Sequence, residues 1–498
     1  MPKVTTGIKT QTSLGQSGNL EVDYEHSSSF RDCENLGEAM TDHLPNLGRE
    51  NEMLAAMGHS SMDDLFVELP DNVRCKEPLA LPEAQSEEEI LADARRLLGS
   101  NIDLGSTVNF LGSGLYRNFV PSSVFQLITR GEFLTSYTPY QPEVSQGMLQ
   151  AMWEFQSLIT ELVGLPIANL SVYDGSTAAA EAITCAVRVH ARKAEQKNTV
   201  YISELIPPDR LSVIQNYTQG SELIIKSMKH DENGHIPLEE WEKASGSCAV
   251  YVEQPNPLGI MDQSLFSAKE ILGNHTAFIV GIQPVSLGVF EPPGNYGADI
   301  VVGEGQPLGS PVTYGGPIYG IFACTQPYLR QMPGRIVGRT IDIEGKEAYC
   351  LTLSTREQHI RRHRATSNLC TNETLIAMMG AMHMALLGPE GIETLGLRNL
   401  ASRQLLQDGI SKLLDIELPY GDSQHFNEFV IELPYPAQEC LDYLEKFGII
   451  GGLNLSRWYP GWDHRLLIST SDQTSKSDIK ILLNHLSKWL TSKSGVVA

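Results

Sequence analysis

The sequence predicts an α/β protein, with a large domain built on a mostly parallel sheet and a smaller C-terminal α+β domain. Two observations carry this. First, the short β-rich apolar runs TVYIS (199–203), CAVYVE (248–253), AFIVGI (277–282) and ADIVVG (298–303) share the middle of the chain with helical stretches such as 147–163 and 176–194. Apolar runs alternating with helices make βαβ units, whose strands lie parallel. Second, the alternation stops near residue 370. Long helical segments at 373–387 and 395–414 then lead to FNEFVIELP, a helix near 436–447 and RLLISTS.

Taken in order, residues 1–45 are polar and lack sustained periodicity, as expected of a mobile tail. A helical arm is expected over 46–100, the large domain over 101–370 and the small domain over 371–498. Within the arm, Met53, Leu54 and Met57 mark one helix face, Met62–Phe66 starts a short helix and Pro70 interrupts the chain. Ser86 precedes Glu87, Glu88 and Glu89, an N-cap followed by acids in the dipole-favoured first turn.

Composition narrows the function. The 498 residues are 41% hydrophobic and 19% charged, an ordinary globular balance. A net charge of −23 argues against a sequence-independent hold on nucleic acid, which needs clustered Lys and Arg. No segment is read as long and apolar enough for a bilayer, so no membrane association is expected. The start of the chain lacks an apolar h-region and carries Glu21, Asp23 and Glu25, which leads to a cytoplasmic expectation. Eight scattered cysteines form no CxxC pair, so reduced, mostly buried thiols are expected and no metal site.

Four motifs stand out. SYTPYQPEVSQG (136–147) sets Tyr137, Tyr140, Gln141 and Glu143 in a proline-stiffened turn, where the tyrosines either plug the core or are presented to a site. VYDGSTAAAEA (172–182) opens a helix, with Asp174 as an N-cap in the place a phosphate would otherwise take. Residues 297–320 hold seven glycines and three prolines, a tightly constrained backbone. MPGRIVG and REQHIRRHRATSN bring Arg356, Arg361, Arg362 and Arg364 together in an acidic chain; these form a solvated helix face or meet an acidic surface or anionic ligand.

These blocks, with PNPLG (255–259), FNEF (426–429) and Gly451-Gly452, resemble the glycine decarboxylase family, the P-protein of the glycine cleavage system, over about residues 45–495. The resemblance implies a fold-type I pyridoxal phosphate enzyme fold. It also implies two homologous halves, sometimes separate chains in an α2β2 assembly, of which one carries the lysine that binds the cofactor. Set against the lysine-bearing half, this sequence places Gln306 at the lysine position, and no lysine lies between Lys269 and Lys346. The strand segment 277–288 lacks a carboxylate to face a pyridine nitrogen, and Asp174 sits at the phosphate cup. The resemblance therefore implies the lysine-less subunit 1, with no cofactor-binding residues and no covalently bound cofactor of its own. Pyridoxal phosphate is expected on subunit 2, with lipoylated H-protein and glycine as further partners. Tyr137 is expected to reach the partner's site in trans, supported by Tyr140, Gln141 and Glu143. The other reading is a non-catalytic scaffold or regulatory homologue. One departure is His363-Arg364, where the family pattern has Glu-Lys. It leaves the contact made by Arg364 open, since a guanidinium is a planar fork and an ammonium a point donor.

Overall fold

Seven strands form the central sheet of a computed structural model that describes residues 45–75, 77, 79–105, 107–190 and 195–494. The expected tail falls almost wholly outside these residues, as do positions 191–194 of the expected 176–194 helix. The strands are β1 (Ile167–Ala168), β2 (Gln196–Ser203), β3 (Ile224–Met228), β4 (Ser247–Gln254), β5 (Ala277–Ile282), β6 (Ile300–Glu304) and β7 (Gly320–Cys324). Their order is β1-β7-β6-β5-β4-β2-β3. Every pair from β6 through β3 is parallel, and β7 is antiparallel to both neighbours.

β5 is buried at all six positions, the pattern of a central strand covered on both faces. One face packs on helix α1 (Gln146–Val163), the other on α2 (Gly175–His190). Strands β3 and β7 escaped the sequence reading. β3 is an edge strand with a single buried residue, and β7 is hidden at the end of the glycine-rich run.

Helix α3 (Thr374–Ile410) corrects the expectation about membrane length, because it is long and apolar enough to span a bilayer. It is broken at Gly388, whose φ of 62° and ψ of −175° precede Pro389. Its first half contributes Ala377, Met378 and Met379 to the core beside the large sheet, and its second half gives Leu406 and Ile410 to the C-terminal core. That C-terminal core lies under a three-stranded antiparallel sheet, β8 (Glu428–Glu432), β9 (Leu453–Asn454) and β10 (Arg465–Ser469), in the order β8-β10-β9.

Residues up to 100 form a separate unit from 101–498. In it, helix Glu87–Leu98 starts with a capping box in which Ser86 and Glu89 satisfy each other's backbone N–H groups. The seven described cysteines are all free thiols, and Cys185, Cys248, Cys324 and Cys440 are buried.

The cleft and the tyrosine loop

At the carboxyl ends of the parallel strands, where open α/β sheets place ligands, β6 ends in Glu304 and runs into the glycine-rich turn. Gln306 follows at 1% exposure. Its Nε2 donates to the Tyr116 carbonyl (3.0 Å) and the Ser310 carbonyl (2.8 Å), and its Oε1 accepts from the Tyr116 backbone N–H (3.0 Å). Every hydrogen-bonding direction of that amide but one is used to fasten the 113–116 segment. The Tyr116 hydroxyl continues the chain of contacts to Glu428 on β8 (2.8 Å), which also accepts from the Ser113 backbone N–H (2.7 Å). Burial pushes Glu428 up to about 7, against the pull of these donors.

Asp174 is the cap of α2: it accepts from the Thr177 N–H (2.7 Å) and the Thr177 hydroxyl (3.1 Å). A second carboxylate joins it, one the sequence reading did not single out. Glu304 accepts from the Gly175 N–H (3.0 Å) and the Gln306 N–H (3.1 Å). Burial, the largest effect, and the Asp174 charge push Glu304 up to about 7. Glu373 is likewise raised, to about 6, by burial and the Asp174 charge. In sequence Glu304 is signalled only as an acid two residues before Gln306, directly after the ADIVVG run.

The remaining cleft offers about 60 Å³, bounded by Arg210, Glu253, Asn256, Gln283, Glu304 and Glu428. That is space for a few waters, well short of the ~300 Å³ at which ligand pockets begin. Arg210 is paired to Glu253 at 2.7 Å. Lys269, the lysine preceding Gln306 in sequence, is bound to Asp299 at 2.6 Å. Among the described residues, no group of three His, Cys, Asp or Glu side chains is placed to hold a metal ion.

The YTPYQPE segment behaves differently. Tyr137 is 72% exposed and Tyr140 55%, which excludes the reading that they plug the core. The Tyr137 hydroxyl pairs with Thr371 Oγ1 (2.9 Å). Tyr140 takes the Arg335 guanidinium over its ring, 5.7 Å from the centroid, and meets His359 edge-on at 6.0 Å. Gln141 and Glu143 are exposed. The most evident anchors of the loop are two residues the sequence reading passed over. Gln146 donates to the Pro142 carbonyl (2.7 Å) and exchanges hydrogen bonds with the Tyr349 backbone. Arg335 is buried and donates to Asn372 Oδ1 (3.0 Å) and the Cys370 carbonyl (3.0 Å).

The arginine-rich segment is not the continuous helix face considered above, because it breaks into the short turns Gln358–Arg361 and Arg362–Arg364. Arg356 is buried and donates to the carbonyls of Met332, Gly334 and Leu353, wrapping the Pro333-Gly334 turn. Arg361, Arg362 and Arg364 are exposed.

The layered sheet and its strand order define the class, a fold-type I pyridoxal phosphate enzyme fold. A NifS-like protein (TM-score 0.57, 13% identity, 78% of this chain and 100% of that one) and a cysteine desulfurase from Thermococcus onnurineus (TM-score 0.57, 14% identity, 83% and 100%) share it at the level of fold. The chain belongs to the glycine cleavage system P-protein family, whose pattern matches residues 42–486. It is 42% identical over 448 residues to a Pyrococcus horikoshii protein named "Probable glycine dehydrogenase (decarboxylating) subunit 1", covering 89% of this chain and 98% of that one. It is 40% identical to a Chloroherpeton thalassium protein of the same name, with coverage of 89% and 98%. A crystal structure of an inhibitor-bound glycine decarboxylase (P-protein) superposes with a TM-score of 0.78 at 37% identity, over 90% of this chain and 99% of that one.

Against the cofactor of that class, the cleft does not fit. Gln306, which the family resemblance sets against the lysine, is an amide already engaged three times. Two carboxylates hold the helix end that a phosphate needs. Gln283, directly after β5, caps the turn Pro284–Gly288 with an amide, and the segment 277–288 carries no carboxylate.

Proposed function

We propose that this chain is the lysine-less subunit of a two-chain glycine decarboxylase, with pyridoxal phosphate held by subunit 2 in an α2β2 assembly in the cytoplasm. In this reading the cofactor on the partner supplies the electron sink for decarboxylation. The assembly releases CO2 from glycine and passes the aminomethyl group to the lipoyl arm of H-protein. Subunit 1 is inert alone.

One observation supports this most: the chain's own cleft is closed by Gln306 and Glu304, while Tyr137 and Tyr140 stand exposed on a loop pinned by Gln146 and Arg335. Exposed aromatics held in fixed positions suit a partner surface, because little conformational freedom is lost on docking. Val144, 79% exposed on the same loop, adds apolar surface. The role assigned to this chain is to present Tyr137 to the partner's site, with Tyr140, Gln141 and Glu143 shaping the loop around it.

The test is reconstitution with subunit 2 and H-protein, followed by glycine-dependent CO2 exchange. Neither subunit should work alone. Tyr137→Phe should lower turnover about tenfold, equivalent to ~1.4 kcal/mol of lost transition-state interaction, while the subunits still co-elute. Full activity from subunit 2 alone would favour the scaffold reading instead.

A further inference from the structure

A second cavity, of about 450 Å³, lies beside the C-terminal half of α2, between that helix, the end of helix Pro208–Thr218 and the segment 358–368. This volume is in the range of small-molecule sites. It shares no lining residue with the Gln306 cleft, which meets α2 at its other end, where the Gly175 N–H donates to Glu304. Arg188 enters the cavity from α2, and Arg362 and His363 enter from the segment 358–368.

The charge this cavity offers an occupant is of one sign. Arg188 and Arg362 are both exposed, and neither joins an ion pair among the described residues, although the chain has 60 acids against 37 Lys and Arg. The one acid on the wall, Glu181, is 1% exposed: Ser367 Oγ donates to its Oε1 at 2.5 Å and its Oε2 is buried, so no accessible carboxylate remains. His363 stands where the family pattern has glutamate, so an imidazole replaces an anion on this wall. Arg362 is held at φ 53°, ψ −124°, a strained conformation for a residue with a side chain, and such strain is concentrated at sites of use.

Two guanidinium groups and an imidazole, with the amides of Gln358 and Asn368 on the same walls, offer more donors than the two oxygens of a carboxylate engage. A phosphate monoester supplies three terminal oxygens and a charge of about −1.5 to −2 at pH 7, and a guanidinium pairs with it bidentately. The phosphate group alone would leave much of the cavity empty, and walls that are polar apart from Ala365 and Tyr217 suit a hydroxylated body in the remainder. We propose that this cavity binds a small phosphorylated metabolite with a hydroxylated body, its phosphate held by Arg188, Arg362 and His363. The site lies on this chain alone and does not rest on the subunit assignment.

Calorimetric titration of the full chain in phosphate-free buffer tests it with four probes: ribose 5-phosphate, inorganic phosphate, ribose and acetate. Ribose 5-phosphate should bind saturably and more tightly than inorganic phosphate, and ribose and acetate should not saturate. Arg188→Gln and His363→Glu should each weaken ribose 5-phosphate binding at least about tenfold, roughly 1.4 kcal/mol. Arg362→Gly removes the guanidinium at a backbone position that glycine accepts without strain, so binding should weaken as much while the urea midpoint does not fall. Amide hydrogen exchange of the unmutated chain gives a readout free of the variants, and ribose 5-phosphate should protect residues 184–188 and 358–368. The proposal is overturned if ribose 5-phosphate does not saturate or binds no more tightly than inorganic phosphate, ribose or acetate. It is equally overturned by unchanged affinity in all three variants, or by protection confined to the Gln306 cleft. Variants that keep their affinity for ribose 5-phosphate but no longer co-elute with subunit 2 would make this wall a protein-docking surface instead.

Discussion

Replacing Gln306 by glutamate changes one nitrogen to one oxygen and tests whether the cleft is held shut by that amide. The Nε2 donates to two carbonyls, Tyr116 at 3.0 Å and Ser310 at 2.8 Å. A protonated glutamate keeps one of those donations, so at about pH 5 the loss should be near one buried hydrogen bond, ~1–2 kcal/mol. At about pH 8 the variant must either keep its proton at a cost of about 1.4 kcal/mol per unit of pKa shift or face two carbonyl oxygens and Glu304 as an anion. The loss should then grow to roughly 3–5 kcal/mol. Urea midpoints of the full chain and the variant, measured at both pH values, give the difference directly. Equal destabilisation at the two pH values, or none at either, would refute the reasoning that Gln306 acts as a buried two-carbonyl clamp.

Glu428 and Glu304 both titrate near 7 in the folded chain because burial opposes their charge. An acid raised in the folded state keeps its proton there when the unfolded chain has lost it. Stability is therefore greatest below the unfolded value of about 4.3 and falls as pH rises toward 7, by on the order of 3 kcal/mol per group. Glu428→Gln should flatten that decline in a urea-midpoint series, and an unchanged slope would remove Glu428 from the account. Gly259, at φ +82°, would bring a Cβ to 2.0 Å from the Glu428 carbonyl oxygen. Gly259→Ala should thus cost more than about 3 kcal/mol in the same assay, and a loss below about 1 kcal/mol would contradict the packing described.

Much of the large sheet was legible because its central strands are buried on both faces and read as unbroken apolar runs. AFIVGI coincides with β5 at both ends. The edge strand β3 carries Lys226 and Ser227 outward and has no such run. β7 was masked by the glycines and prolines before it, which describe the turn rather than the strand that follows. The same limit applies at the cleft. Asp174 as a helix cap is a local pattern, three residues from Thr177. Apart from Ser310, the partners given above for Gln306 and Glu428 lie 190 and more than 300 residues away, at Tyr116 and Ser113. Nothing near either residue in sequence announces them. The loop anchors Gln146 and Arg335 were missed for the same reason, since they act on backbone brought close only by the fold.

The most direct measurement of where the cofactor sits is borohydride reduction of the reconstituted assembly in excess pyridoxal phosphate, followed by peptide mapping of both chains. A stoichiometric pyridoxyl-lysine on subunit 2, with none on this chain, is the predicted result. A stoichiometric adduct on a lysine of this chain would contradict it.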